Sequence, residues 1–193
     1  MQDDTFKSLL VRIRDVDDEE SWATFVEIYE PFIEGYLRRR GISSELAFDV
    51  RQEVLMVVSQ RIADFEHNGR TGAFRNWLRT TTVNCLRTYA RQQKRESPGG
   101  SVFFDVVQQL ADDESEMSRV WNHEYDRHVL QGLLVRLEPD FQENTLLAFR
   151  KTTLEQMTAA DVATELGMTR NAVIVARSKV LRKLRELAGE FLD

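Results

Sequence analysis

The sequence predicts an all-α protein of two small helical domains joined by an acidic linker, and three observations carry that expectation. Only three prolines and nine glycines interrupt 193 residues. Apolar residues recur at three- and four-residue spacing along almost the whole chain, with no sustained strand-like alternation. The strongest breaker, Ser-Pro-Gly-Gly at 97–100, opens a segment rich in Asp and Glu. The expected division is residues 1–95, a linker over 96–122 and a second domain over 123–193, and 42% hydrophobic content is enough for packed cores.

In the first domain, Gly41 ends a helix whose last turn holds Arg38, Arg39 and Arg40, and Ser43 or Ser44 caps the next. That helix runs to about residue 65, with Val50, Val54, Val57 or Val58, and Ile62 on its apolar face. Asp49, Gln52, Glu53, Met56 and Gln60 line a second side at helical spacing, a polar-acidic stripe suited to a basic partner surface. A Gly-containing loop at 67–72 precedes a helix from about Ala73 that buries Phe74, Trp77, Leu78, Thr81 and Cys85 and presents Asn84, Arg87, Arg91, Lys94 and Arg95. Phe74 and Trp77 are core at this spacing, which leaves Tyr89 as the better candidate for base stacking.

Within the linker, the apolar stretch 102–110 is either a short helix or a segment that docks on a neighbour. Val129, Leu130, Leu133 and Leu137 predict a helix stopped by Pro139, with Asp140 and Glu143 as a capping box for the next. Thr158 and Asp161 cap a short helix through Leu166, Gly167 supplies a left-handed residue, and Thr169 caps a last helix to about Leu187. Val162, Ala163, Leu166, Met168, Val173, Val180 and Leu184 are the expected core of that pair.

The net charge of −6 excludes a coat held on nucleic acid by bulk charge, and the charge is segregated instead. Residues 67–95 carry seven Arg or Lys and residues 170–185 carry six, neither with an acid, whereas 96–126 holds eight acids against Arg119. The acidic segment is therefore placed to compete with phosphate for the basic ones. The first residues show no signal-peptide pattern or apolar span, so a cytoplasmic protein without membrane association is expected. Cys85, the sole cysteine, leaves out an intrachain disulfide and a Cys-based zinc site. His67, His123 and His128 lack metal spacing, Asp112, Asp113 and Glu114 read as solvated, and His123 and Glu124 near His128 read as a surface pair. No enzyme activity, metal or cofactor is expected.

Helix, Gly-containing turn, helix is the helix-turn-helix arrangement that lays its second helix in the DNA major groove. In residues 158–187, Thr169, Arg170, Asn171 and Ile174 are placed to read bases, and Arg177, Lys179, Arg182 and Lys183 to neutralise phosphates. Ile174 and Val175 either touch thymine methyls or pack, and the bland alternative for the unit is a helical hairpin with a solvated basic face.

Three runs resemble, in order, those of the extracytoplasmic-function (ECF) group of sigma-70 family bacterial sigma factors. Asp49-Val50-Arg51-Gln52-Glu53-Val54 is similar to the run that grips the beta-prime coiled coil of RNA polymerase. Phe74-Arg75-Asn76-Trp77-Leu78, with Asn84 and the cluster from Arg91 to Arg95, resembles the minus-ten recognition helix. Residues 161–169, with Val173 and Arg182-Lys183-Leu184-Arg185, resemble the helix-turn-helix that reads the minus-thirty-five element. Residues 171–177 are largely apolar where many relatives carry Lys, Ser and Arg.

The resemblance implies a sigma factor that binds core RNA polymerase and directs promoter recognition and transcription initiation. It places Asp49, Gln52, Glu53, Met56 and Gln60 on polymerase. Asn68, Arg70 and Thr71 would hold a base flipped from the minus-ten element, with Asn84, Arg87, Arg91, Lys94 and Arg95 on nearby backbone. The second domain would meet promoter DNA and the polymerase beta flap, and an anti-sigma protein is a further implied partner with no dedicated site in the sequence. Two other classes stay open: a dimeric helix-turn-helix regulator without polymerase, and a helical adaptor with no DNA role.

Overall fold

The computed structural model describes residues 9–66, 72–96 and 102–188, with backbone alone at 92–96, 102 and 188. Among them every regular element is helical, as the periodicity predicts. The chain divides into two compact units, the first ending at Val129 and the second beginning at Leu130.

The first unit holds α1 (Leu9–Arg12), α2 (Glu19–Arg39), α3 (Ser44–Arg61), α4 (Ala73–Glu96), α5 (Val102–Ala111) and the first part of α6 (Glu116–Leu137). Asp18 starts α2 by accepting the Ser21 N–H at 3.0 Å, a bond that also holds its carboxyl below the ordinary range. Phe25, Ile28, Tyr29, Phe32, Ile33, Tyr36 and Leu37 give α2 one continuous buried face. The helix ends where Gly41, at φ 84°, lets its N–H reach Arg38 O at 3.1 Å and the Ile42 N–H reach Leu37 O at 3.2 Å. A side chain would strain that left-handed position, which is why glycine stands there.

Ser43, rather than Ser44, then caps α3, accepting the Leu46 N–H at 3.3 Å. The helix stops at Arg61, short of the expected end, and a 3-10 turn over Ile62–Asp64 carries the chain to Phe65. Val58, not Val57, is the buried valine of that turn. On α4, Phe74, Leu78, Thr81 and Cys85 are buried as expected, while Trp77 is half-buried with its ring 5.4 Å from Phe65. Burial pushes the Cys85 thiol up to about 11.

Two helices stand within the stretch where composition predicts a linker. Phe103, Val106, Val107 and Leu110 are buried, and α5 packs on α4. In α6 the period-four series Trp121, Tyr125 and Val129 is buried as well. The Trp121 ring meets Phe32 at 4.8 Å and Tyr36 at 4.7 Å, both edge-on. The Tyr29 and Tyr125 hydroxyls share a hydrogen bond of 3.0 Å, and the Tyr36 hydroxyl donates to Met117 O at 2.9 Å. These contacts correct the expected surface pairing around His128. His128 is half-buried with Nε2 2.7 Å from Ile28 O, Glu124 accepts from Arg39 at 2.5 Å and Arg40 at 3.1 Å, and only His123 is exposed.

The second unit holds the rest of α6, α7 (Glu143–Thr153), α8 (Ala159–Leu166) and α9 (Arg170–Ala188). Gln142 takes the cap position of α7 without a side-chain bond, and Asp140 lies in a 3-10 turn, so the expected Asp140–Glu143 capping box does not form. Val162, Val173 and Ala176 close on Ala148 of α7, with Ala163, Leu166 and Met168 packed against them, and Val180 and Leu184 are also buried. Among the described residues no helix is long and apolar enough to cross a membrane.

Two stability measurements follow from this packing. Trp121→Ala removes a fully buried ring, and a loss of about 3–5 kcal/mol is expected in urea unfolding. A loss under about 1 kcal/mol would show that α6 does not rest on α2 in solution. Burial is the main cause that lowers the His128 pKa below 6.5, aided by the nearby Arg39 charge and opposed by the bond to Ile28. The unfolded chain therefore takes up this proton first on acidification. The contribution is full above 6.5 and is lost as pH falls through the depressed folded value. His128→Gln should flatten the change in urea midpoint between about pH 7.5 and about pH 5.5, and an unchanged slope would contradict the assignment.

Candidate functional site

Three surfaces gather the residues singled out by sequence. The first is the outer side of α3, where Asp49, Gln52, Met56 and Gln60 are exposed and Glu53 is half-buried. Ala47, Val50, Val54 and Val58 bury the opposite side. Arg51 lies with them, buried, and its guanidinium binds Glu30 and, at 2.9 Å, Glu34 on α2. The same group lies 4.2 Å from the Phe48 ring centre. The spacing that selects Asp49, Gln52 and Glu53 gives Arg51 no role of its own. Its signal was a cation on the buried side of one helix facing two Glu one turn apart on the neighbour.

The second surface is on α4. Asn84, Arg87 and Arg91 are exposed, with Arg87 Nη1 3.4 Å from Asn84 Oδ1. Arg75 and Arg79 of the same basic run are not part of it. Arg75 donates to Asp126 at 2.6 Å, and buried Arg79 to Asp113. Tyr89 is half-buried rather than open, and its pKa is raised by burial and then by the charges of Asp49 and Glu53. Asn68, Arg70 and Thr71 lie outside the described residues, and for Lys94 and Arg95 only the α4 backbone is described.

The third surface is α9, positioned by the turn that precedes it. Thr158 caps α8 by accepting the Asp161 N–H at 3.2 Å and donates to the Asp161 carboxylate at 2.7 Å. Gly167, at φ 62°, ends α8 with the Met168 N–H on Ala163 O at 2.9 Å. Thr169 starts α9, accepting the Ala172 N–H at 3.1 Å. Outward stand Thr169, Arg170, Asn171, Ile174, Arg177, Lys179 and Arg182, with Lys183 half-buried. Among the described residues no ion pair engages Arg170, Arg177 or Lys179. Arg182 and Lys183 lie 4.0 and 3.8 Å from Glu186, long and exposed pairs of small energetic weight. Ile174 and Val175 do not pack inward, being 46% and 43% exposed.

Residues 25–96 match the family model of sigma-70 region 2. The matched span runs from within α2 to the end of α4 and so contains both the α3 and α4 surfaces, while α9 lies outside it. No curated protein matches the chain. The likeness to sigma-70 region 2 extends over little more than a third of the 193 residues.

The turn before α9 is testable by itself. A Cβ at Gly167 would meet no atom within 4 Å, so Gly167→Ala costs only its left-handed backbone. A loss of about 1–2 kcal/mol is expected in thermal or urea unfolding, and no measurable loss would contradict the left-handed turn.

Proposed function

We propose that the chain is an ECF-type sigma factor that brings core RNA polymerase to a promoter and reads that promoter at two places. The observation that carries this reading is the region 2 match over α2 to α4 in a chain that also has a separate helical unit, whose last helix exposes Arg170, Arg177 and Lys179 with no ion pair among the described residues. Polymerase performs the chemistry; the sigma chain supplies position.

In this reading the unit that ends at Val129 binds polymerase and the minus-ten element through residues 1–95, and the unit that begins at Leu130 is a helix-turn-helix domain for the minus-thirty-five element and the beta flap. Asp49, Gln52, Glu53, Met56 and Gln60 meet the beta-prime coiled coil. Exposed carboxylate and amide groups draw a basic surface, and the thioether of Met56, 47% exposed, adapts to its shape. Asn84, Arg87 and Arg91, with Lys94 and Arg95, lie along the minus-ten strand, and Asn68, Arg70 and Thr71 take an unstacked base. In the second unit α8 crosses the backbone and α9 enters the major groove. Arg177, Lys179, Arg182 and Lys183 then reach phosphates, and Thr169, Arg170, Asn171 and Ile174 reach base edges. The workplace of such a protein is the cytoplasm, and an anti-sigma protein is a partner of the same reading.

Run-off transcription with core enzyme across a genomic library tests the proposal. Specific start sites that depend on this chain are expected, and their absence would sink it. Gln52→Ala with Glu53→Ala should lower that transcription by about 10-fold without moving the unfolding midpoint, as the loss of a polar patch at a protein interface does. A regulator that works without polymerase would elute as a dimer, bind its operator alone and be indifferent to these substitutions.

A further inference from the structure

Resting on the reading of α9 as the minus-thirty-five helix, we propose that Ile174 and Val175 recognise thymine C5-methyl groups, which makes part of this chain's promoter specificity apolar. The inward side of α9 is complete without them, since Val173, Ala176, Val180 and Leu184 are buried there. Single exposed apolar residues are ordinary on protein surfaces. These two are adjacent, β-branched and nearly half exposed, and they lie on one side of the helix with Arg170, Asn171 and Ser178 by the spacing of an α-helix.

The surroundings choose the occupant. No acid occurs between residues 170 and 185, and the cations beside the pair hold no carboxylate among the described residues, so the face suits a polyanion. Within an anionic duplex, the thymine methyl is the apolar feature that the major groove presents among donor and acceptor atoms. β-Branched side chains have few rotamers and lose little freedom in holding such a contact. Cytosine carries no such methyl group, so the same contact prefers a T·A to a C·G pair. Asn171, one turn earlier, carries an amide that pairs with adenine in that groove, which extends the preference to a run of A·T pairs.

The test uses the full-length chain with core RNA polymerase. Duplexes randomised over the upstream element are selected for binding, and each thymine of the enriched site is then replaced by deoxyuridine, which removes the methyl alone. One or two thymines are expected at which the replacement weakens binding about 4-fold, the effect of withdrawing one buried methyl. The Ile174→Ala, Val175→Ala double variant, altered only at exposed positions, should bind the thymine and deoxyuridine sites equally. If a site is enriched and every replacement is tolerated, or if the double variant keeps the parent's penalty, methyl recognition is wrong while the promoter role stands. If no site is enriched, both fall.

Discussion

A guanidinium buried between two helices must have anions, and that requirement sets how α3 lies on α2. Apolar positions alone would tolerate some rotation of α3, because valines and alanines pack in several neighbouring registers. Arg51 removes that freedom: turning the helix would draw the cation from Glu30 and Glu34, and an uncompensated buried charge costs several kcal/mol. With α3 fixed, Asp49, Gln52 and Gln60 face outward together. The α4 helix packs on α3 in turn, so the two surfaces of the matched region inherit their register from one side chain that belongs to neither.

The basic run that composition presents as a single feature is sorted by the fold into two groups. Arg75 and Arg79 turn toward Asp126 and Asp113 and help to hold the α5–α6 segment, whereas Arg87 and Arg91 stay exposed. Glu124 is likewise taken up by Arg39 and Arg40 at the end of α2. Carboxylates that looked free to compete with phosphate are thus engaged with cations that do not line the exposed face. Their effect is on the architecture of the first unit more than on the field above α4.

Legibility followed sequence distance. Thr158, Gly167 and Thr169 announced their turn because caps and left-handed residues act within a few positions, and the structure has all three in those roles. The outer stripe of α3 was legible for the same local reason. The seating of Trp121 and Tyr125 on α2 was not, since Tyr29 and Tyr125 are 96 residues apart and the intervening acids suggested a solvated linker. The period-four series from Trp121 to Val129 was the available signal, outweighed by the charge around it. The Asp140–Glu143 box failed because Pro139 and its neighbours form a 3-10 turn that places Gln142 at the cap.

The single thiol of the chain, Cys85, makes the opening of α4 measurable. It is buried in α4, and its pKa of about 11 leaves almost no thiolate at neutral pH. Alkylating reagents can reach it only when the packing around α4 opens. The rate at which the native chain takes up such a label is therefore a clock for that opening, and because no other cysteine contributes, it reports on this helix without any engineered probe.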